Sequence, residues 1–250
     1  MNLILCAYNK VGRKVLERVV KEIQPDSLAV FTHETDNPEM DVQALAKELG
    51  VWCSTESINK TELPFKPDII SSVYYRYIIK QHVIDACDGK IFNAHPSLLP
   101  NHRGCSAIPW AIIDDDRVTG VTFHYIDPGI DTGNIILQSS IQIDEYYETQ
   151  ESLYEKCMDR VYDFWPGAFE LVKSGFKGAP QIGDFTQYHK RGVPYNGELS
   201  IHWDYERKDR FIRAMTYPPL PGATIDGVEV NSMDDYFEHI RTFKRKVGLP

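Results

Sequence analysis

The sequence predicts an α/β fold: a doubly wound, mostly parallel sheet followed by a small C-terminal module. Short apolar runs alternate with segments whose apolar residues recur every three or four positions, which is typical of alternating strands and helices. The 250 residues, 42% of them hydrophobic, can bury one sizeable core with residues left over for an appendage. From about residue 181 the chain turns polar and aromatic, with repeated Pro and Gly. We therefore predict a main domain at 1–180 and a C-terminal module at 181–250.

Strand and helix patterns alternate through the first 92 residues. Strands separated by helices require right-handed crossovers, which place the strands parallel in one sheet. The predicted strands cover residues 3–7, 27–32, 51–53, 68–75 and 90–92, and the predicted helices cover 12–23, 42–49 and 80–87.

The pattern changes after residue 120. Residues 120–126 and 135–143 both resemble strands and only a turn separates them, so we expect an antiparallel pair that extends the sheet. Residues 152–174 carry an apolar stripe at helical spacing, and Pro166 is expected to kink that helix.

Composition and charge exclude several classes of protein. A net charge of −9 argues against nucleic acid as a partner, because phosphate backbones attract basic surfaces. No segment approaches the roughly 20 consecutive apolar residues of a membrane helix, and no signal peptide opens the chain. The five cysteines are scattered and form no Cys-x-x-Cys pair, which favours reduced thiols. We expect a cytoplasmic protein that binds neither nucleic acid nor membrane.

The sequence lacks the motifs of several common classes of protein with such a sheet. Gly12 stands alone where a dinucleotide fingerprint needs three glycines, and no Walker sequence occurs. Ser97 lacks the Gly-x-Ser-x-Gly elbow of a hydrolase nucleophile. His95, His102 and His124 lack the close spacing of metal-binding histidines, so we predict no metal.

Polar residues follow two of the predicted strands. Asn93 and His95 come after the strand at 90–92, and Asp131 lies in the loop after the strand at 120–126. Ligands of open α/β sheets bind outside the carboxyl ends of the strands, so these side chains could face one cleft. The same residue types also favour turns, and the residues alone leave both interpretations open.

Two motifs distinguish these interpretations. Residues 93–100 (NAHPSLLP), with Gly104 after them, resemble the signature of the folate-dependent formyltransferases, and residues 127–133 (DPGIDTG) resemble that family's second signature. The resemblance covers most of residues 1–180. It implies a Rossmann-like formyltransferase core, N10-formyltetrahydrofolate as cosubstrate, no metal, and a catalytic triplet of Asn93, His95 and Asp131.

The implied chemistry suits these residue types. An amine that attacks a formyl carbon creates an oxyanion, to which the Asn93 amide or a protonated His95 could donate. The amine must also lose a proton, and His95 titrates near neutrality with Asp131 available to hold it or relay the proton. Which of the two is the working base stays open.

The resemblance also places a folate pocket. Backbone groups near residues 75–79 and 126–130 would bind the pterin, and Ile78 and Ile79 would flank its ring. The alternative is that Ile78 and Ile79 begin the core of a helix. The predicted cofactor-binding residues are Arg76, Tyr77, Ile78, Ile79, Asp127 and Ile130.

The acceptor amine depends on the tail, which most resembles that of the sugar N-formyltransferases. Glycinamide ribonucleotide transformylases usually end earlier, methionyl-tRNA formyltransferases carry a larger basic domain, and formyltetrahydrofolate deformylases carry an N-terminal domain. We predict a dTDP- or UDP-linked amino-dideoxy sugar of surface glycans as the acceptor and a possible homodimer. The alternatives are an enzyme like methionyl-tRNA formyltransferase or another amine formyltransferase, and a non-catalytic folate or nucleotide-sugar binding protein.

Candidate acceptor contacts come from both parts of the chain. Cations of the tail could bind a diphosphate and its aromatic rings could stack on a base, although solvated surface charge is the simpler interpretation. The predicted contacts are Ser97, His102, Gly104, Lys190, Arg191, Arg213 and Tyr217.

Overall fold

The computed structural model describes residues 1–183 and 188–247. Its strands are β1 (Asn2–Ala7), β2 (Ser27–Phe31), β3 (Trp52–Ser54), β4 (Ile69–Val73), β5 (Ile91–His95), β6 (Arg103–Gly104), β7 (Val118–Tyr125), β8 (Ile135–Gln142), β9 (Tyr188–His189), β10 (Ala223–Ile225) and β11 (Val228–Val230). Its α-helices are α1 (Asn9–Arg18), α2 (Val42–Glu48), α3 (Gln81–Ala86), α4 (Ala107–Ile113), α5 (Gln150–Lys173), α6 (Tyr205–Ala214) and α7 (Met233–Val247).

Seven strands form the central sheet in the order β3-β2-β1-β4-β5-β7-β8. The first five strands run parallel to one another, whereas β7 runs antiparallel to both β5 and β8. The order reverses at β1, as in doubly wound folds. The predicted α/β fold with a mostly parallel sheet is therefore confirmed.

Element boundaries differ from the prediction in places that matter for the site. The strand expected at 90–92 continues to His95, so Asn93 and His95 lie within a strand and not after it. Helix α4 was not predicted, because Pro109 interrupts a short segment with few polar residues to mark a helical face. The long helix α5 continues through Pro166.

Apolar side chains cover both faces of the sheet. Leu3 and Leu5 of β1 point to the larger core, which α1 and α5 complete, while Ile4 and Cys6 point to a smaller core on the opposite face. This alternation follows from the two-residue period of a strand. Both faces of the parallel strands are thus buried, as the continuous apolar runs indicate.

The tail packs directly against the main part of the chain. Strand β9 pairs with β6, and α6 packs on α4. Leu199, Phe211 and Ile225 are buried in the same core cluster as residues of α5. The division at residue 180 remains a prediction. Among the described residues, no helix has the length and apolar character to cross a membrane.

Trp165 of α5 is fully buried, packs on Phe169, and donates a hydrogen bond from Nε1 to Ser71 Oγ at 2.9 Å. We expect Trp165→Ala to lower the free energy of unfolding by about 3–5 kcal/mol, because it leaves a cavity and an unpaired hydroxyl. Trp165→Phe should cost less. Urea unfolding measures both, with Tyr147→Ala at an 81% exposed side chain as the control, expected within about 0.5 kcal/mol of the parent. Equal stabilities for Trp165→Ala and the parent would contradict this assignment.

Candidate active site

A cavity of about 610 Å³ lies against one face of the sheet, where β4, β5 and β7 adjoin. Small-molecule sites typically measure about 300–1,000 Å³, so the volume suits a ligand of that class. Asn93, His95 and Asp131 all line it. The structure thus brings together the three residues predicted as the catalytic triplet.

A chain of hydrogen bonds fixes the orientation of the Asn93 amide. His124 Nδ1 lies 2.9 Å from the carbonyl oxygen of Tyr125, which can only accept, so Nδ1 carries the proton. In the neutral ring, Nε2 then accepts from Asn93 Nδ2 at 3.4 Å, and the same nitrogen lies 3.5 Å from Asp131 Oδ1. Asn93 Oδ1 accepts from Ser72 Oγ at 2.8 Å. The Asn93 amide therefore presents its NH₂ group to the cavity.

A backbone carbonyl also determines the tautomer of His95. Its Nε2 lies 2.9 Å from the carbonyl oxygen of His102 and therefore donates to it. In the neutral ring, Nδ1 keeps its lone pair, 3.5 Å from Asp131 Oδ2. The nitrogen that can accept a proton thus faces the carboxylate.

Asp131 is held in a loop of unusual backbone geometry. Its φ is +53°, a left-handed conformation that Asp tolerates better than most residues. Its Oδ2 accepts from the Gly104 amide at 2.9 Å, and Gln181 Nε2 donates to the Asp131 carbonyl at 2.8 Å. A Cβ at Gly133 would lie 1.8 Å from the Tyr125 carbonyl oxygen, so only glycine lets this loop return so closely to β7.

Asp131 and His95 lie close together, but not because both follow the carboxyl ends of parallel strands, as predicted. Because β7 is antiparallel to β5, the carboxyl ends of the two strands point in opposite directions. Tyr125, the last residue of β7, lies opposite Phe92, near the amino end of β5. The loop after β7 must therefore run back along the sheet for Asp131 to reach His95 at the other end of β5.

The ionisation states of His95 and Asp131 follow from their surroundings. Burial lowers the pKa of His95 from 6.5, and the Asp131 carboxylate opposes this shift only in part. Burial alone would raise the pKa of Asp131. The neighbouring His95 and His124 rings and the Gly104 amide instead hold the pKa of Asp131 well below its usual range. At neutral pH the pair is a neutral imidazole beside a carboxylate.

The residues predicted to bind the cofactor all line the cavity. Ile78 and Ile130 are 68% and 39% exposed, which is unusual for large apolar side chains. Ile79 is buried in the smaller core, which agrees with the alternative prediction that it belongs to a helix core. It also borders the cavity. One oxygen of Asp127 binds its own loop, through the Gly129 amide and the Thr132 hydroxyl.

Two of the predicted acceptor contacts, Gly104 and Arg191, line the cavity. Arg191 donates to the Arg76 carbonyl oxygen at 2.8 Å and so joins the tail to the predicted cofactor loop. Lys190 is exposed outside the lining that the described residues form.

The remaining predicted acceptor contacts face other partners. Ser97 is fully buried, and its hydroxyl donates to the Asn101 carbonyl oxygen at 2.6 Å. Arg213 binds Asp209 and the carbonyl oxygens of residues 145 and 148. Tyr217 packs against Tyr154. The side chain of His102 is buried behind the loop that carries it. Within the described chain, the structure places none of these four side chains in the cavity.

Several cavity residues were absent from the predicted site. His124 and Ser72 pair in register with Asn93 on the neighbouring strands, and polar residues inside strands with many apolar residues were their signal. Tyr74 lines the cavity at a φ of +60°, which no local pattern indicates. Tyr188 reaches the cavity only through the pairing of β9 with β6.

One group of described side chains has the composition of a metal site: His102, Asp114 and His189. Two of its members already share a hydrogen bond, because His102 Nδ1 lies 3.1 Å from His189 Nε2. The other nitrogen of His102 binds Asp116 at 2.7 Å. These histidines therefore satisfy each other without an ion.

Comparison with known proteins identifies the family. A sequence model of the family described as formyl transferase matches residues 18–168, more than half of the chain. The chain belongs to the formyl transferase family. A GDP-perosamine N-formyltransferase from Brucella melitensis is 33% identical to this formyltransferase over 223 residues, which cover 86% of this chain and 85% of the relative. The predicted family is confirmed.

Solved structures share the fold of this formyltransferase. An N-formyltransferase from Helicobacter canadensis, solved with folinic acid and dTDP-3-aminofucose, has a TM-score of 0.80 at 21% identity, covering 92% of this chain and 86% of that one. A phosphoribosylglycinamide formyltransferase from Bacillus halodurans has a TM-score of 0.58 at 26% identity, covering 71% and 96%. The first extends over the tail, whereas the second covers less of this chain.

The ionisation states predict a pH profile. If neutral His95 is the active form, kcat/KM should be constant near pH 7 and fall as the pH drops below 6.5, where His95 becomes protonated. Asp131 raises the pKa of His95, so Asp131→Asn should move this fall to lower pH while it lowers the plateau. Initial rates from pH 5 to 8 (roughly the range over which histidine titrates) measure both effects. A fall that begins above pH 7 in the parent would contradict the interpretation.

Proposed function

We propose that this formyltransferase moves the formyl group of N10-formyltetrahydrofolate to the primary amine of a nucleotide-linked amino-dideoxy sugar. The observation that carries the proposal is that Asn93, His95 and Asp131 line one and the same cavity. The tail contributes Tyr188 and Arg191 to the same cavity. The acceptor would therefore meet the catalytic residues and the tail at once.

The cavity fits a folate at one end. Ile78 and Ile130 expose apolar surface that a flat heteroaromatic ring would cover, and exposed apolar surface of this kind marks ligand sites. Backbone groups of the adjoining loops are available to bind the polar edge of a pterin. N10-formyltetrahydrofolate supplies the activated formyl group when it binds there.

The orientation of each side chain assigns it a role in formyl transfer. One N–H of Asn93 Nδ2 faces His124, and the other can donate to the formyl oxygen as negative charge develops on it. His95 Nδ1 accepts the proton that the attacking amine loses, and the Asp131 carboxylate stabilises the resulting imidazolium. A proton must also reach N10, and the imidazolium of His95 can return it. No covalent bond to the enzyme forms.

Aromatic and cationic groups support a nucleotide-linked acceptor. Tyr188 offers a ring at the cavity, and Arg191 a guanidinium that can bind a phosphate in place of the Arg76 carbonyl oxygen. The Brucella relative is named for GDP-perosamine, so GDP-linked sugars join the predicted dTDP- and UDP-linked ones as candidate acceptors.

We also propose a cytoplasmic homodimer that serves surface-glycan synthesis. All five cysteines are free thiols, as expected in a reducing compartment. Size-exclusion chromatography with light scattering tests the dimer.

Substitutions of the triplet test the chemistry. We expect His95→Ala to lower kcat by about 10²–10⁴-fold because it removes the proton acceptor, and Asn93→Ala by about 10²–10³-fold because it removes the oxyanion donor. His202→Ala, at an exposed position of the tail, is the matched control and should be unaffected. Undiminished turnover by His95→Ala would overturn its catalytic role.

A panel of acceptors tests the substrate. Amino sugars linked to GDP, dTDP and UDP are incubated with the enzyme and the folate, and mass spectrometry detects the formyl group on the product. We expect at least one amino sugar to be formylated, and neither methionyl-tRNA nor glycinamide ribonucleotide. Formylation of methionyl-tRNA alone would overturn the sugar proposal, and binding without turnover would identify a non-catalytic protein.

A further inference from the structure

His102 lies between β5 and β6 and joins three parts of the molecule. Its carbonyl oxygen accepts the Nε2–H of His95 at 2.9 Å, the contact that sets the His95 tautomer. Its backbone is left-handed, with a φ of +51°, a conformation in which histidine is enriched among non-glycine residues. Its side chain is only 1% exposed and is not part of the cavity lining. Something other than substrate must therefore account for the side chain's placement.

Two partners hold the His102 ring in the protein interior. Asp116 Oδ2 lies 2.7 Å from Nε2, and because an ionised carboxylate can only accept, Nε2 donates to it. Nδ1 of the neutral ring then accepts from His189 Nε2 at 3.1 Å. Both nitrogens of the His102 ring are thus engaged.

His189 is itself fixed from two sides. Its ring stacks on Trp110 of α4 with 4.4 Å between ring centroids and 8° between planes. Its carbonyl oxygen accepts the Cys105 amide at 2.9 Å, within the contact between β9 and β6. The tail therefore reaches the loop of His102 through a side chain as well as through the backbone.

We propose that His102 and His189 are positioning residues for formyl transfer: His189 anchors the His102 ring, and the His102 carbonyl in turn holds His95 with Nδ1 free. The inference rests on the proposed function, and it adds a residue of the tail to the machinery of the catalytic triplet. Neither side chain needs to touch either substrate.

Loss of the anchor should affect turnover more than binding. If the loop shifts, His95 loses the acceptor for its Nε2–H, and the tautomer with the proton on Nδ1 becomes accessible. That tautomer cannot accept the proton of the amine. The cavity lining that would bind the substrates remains, so KM should change little.

Three variants separate anchoring from folding. His189→Phe keeps a ring to stack on Trp110 but removes the hydrogen bond to His102, and His102→Ala removes both side-chain contacts. We expect kcat to fall by up to about 100-fold in each, because small displacements of a catalytic group have effects of that size. KM should stay within about threefold of the parent, because the residues that would bind the substrates are unchanged. His102→Asn tolerates the left-handed backbone and can accept from His189, so it should recover part of the loss. His202→Phe, at an exposed histidine, is the matched control.

Nitrogen NMR gives a second readout that does not require activity. Long-range proton–nitrogen spectra report which imidazole nitrogen carries the proton, and comparison with His95→Gln assigns the His95 signals. The parent should show the Nε2–H form of His95. His189→Phe and His102→Ala should show a mixture of tautomers, whereas a merely structural role would leave the His95 tautomer unchanged while thermal stability falls.

The outcomes distinguish this inference from the proposed function. If the parent transfers formyl groups but His189→Phe retains full kcat and the Nε2–H tautomer, the positioning role is overturned. If the parent formylates no acceptor, the proposed function fails, while the tautomer measurement still tests the anchoring. If a chelator abolishes parent activity and Zn²⁺ restores it, His102, Asp114 and His189 hold an ion and the hydrogen-bonded arrangement is overturned.

Discussion

The hydrogen bond from the Gly104 amide to the Asp131 carboxylate connects the two loops that carry the site. Asp131 is only 15% exposed, and a buried carboxylate is costly unless donors compensate for the lost water. Only glycine fits at position 104, because its φ is +90° and the close approach of the His189 carbonyl oxygen leaves no room for a Cβ. The geometry of Asp131, and through it the charge beside His95, therefore depends on a backbone contact with the tail.

Backbone carbonyls determine the chemistry of the imidazoles in this site. The carbonyl oxygens of His102 and Tyr125 each accept a ring N–H, and in each neutral ring the remaining nitrogen faces a functional group. For His95 that group is the Asp131 carboxylate, and for His124 it is the Asn93 amide together with the other oxygen of Asp131. Backbone groups are held by the sheet and its loops, so the donors and acceptors are in place before any ligand arrives. Such preorganisation is a large source of enzymatic rate enhancement.

Local patterns predicted much of this molecule, and the remainder depended on long-range pairing. The alternation of strands and helices predicted the parallel sheet, and the two motifs predicted Asn93, His95 and Asp131. The direction of β7 relative to β5 is set by the path of the chain between them, which periodicity does not encode. Arg213 illustrates the limit in the tail: it was predicted as a cation that could bind a diphosphate, yet nearby carbonyl oxygens occupy its guanidinium.

The floor of the cavity is a sheet face, and this has a consequence for folding. Side chains on one face recur every second residue, so Asn93 and His95 line the cavity while Phe92 packs in the larger core. Slippage of β5 by one position would place an amide and an imidazole in the apolar core and a phenyl ring over the bound ligand. The mispaired protein would lose stability and the reaction together. Selection for a well-packed interior therefore also maintains the alignment of the reacting groups, without any separate device to secure it.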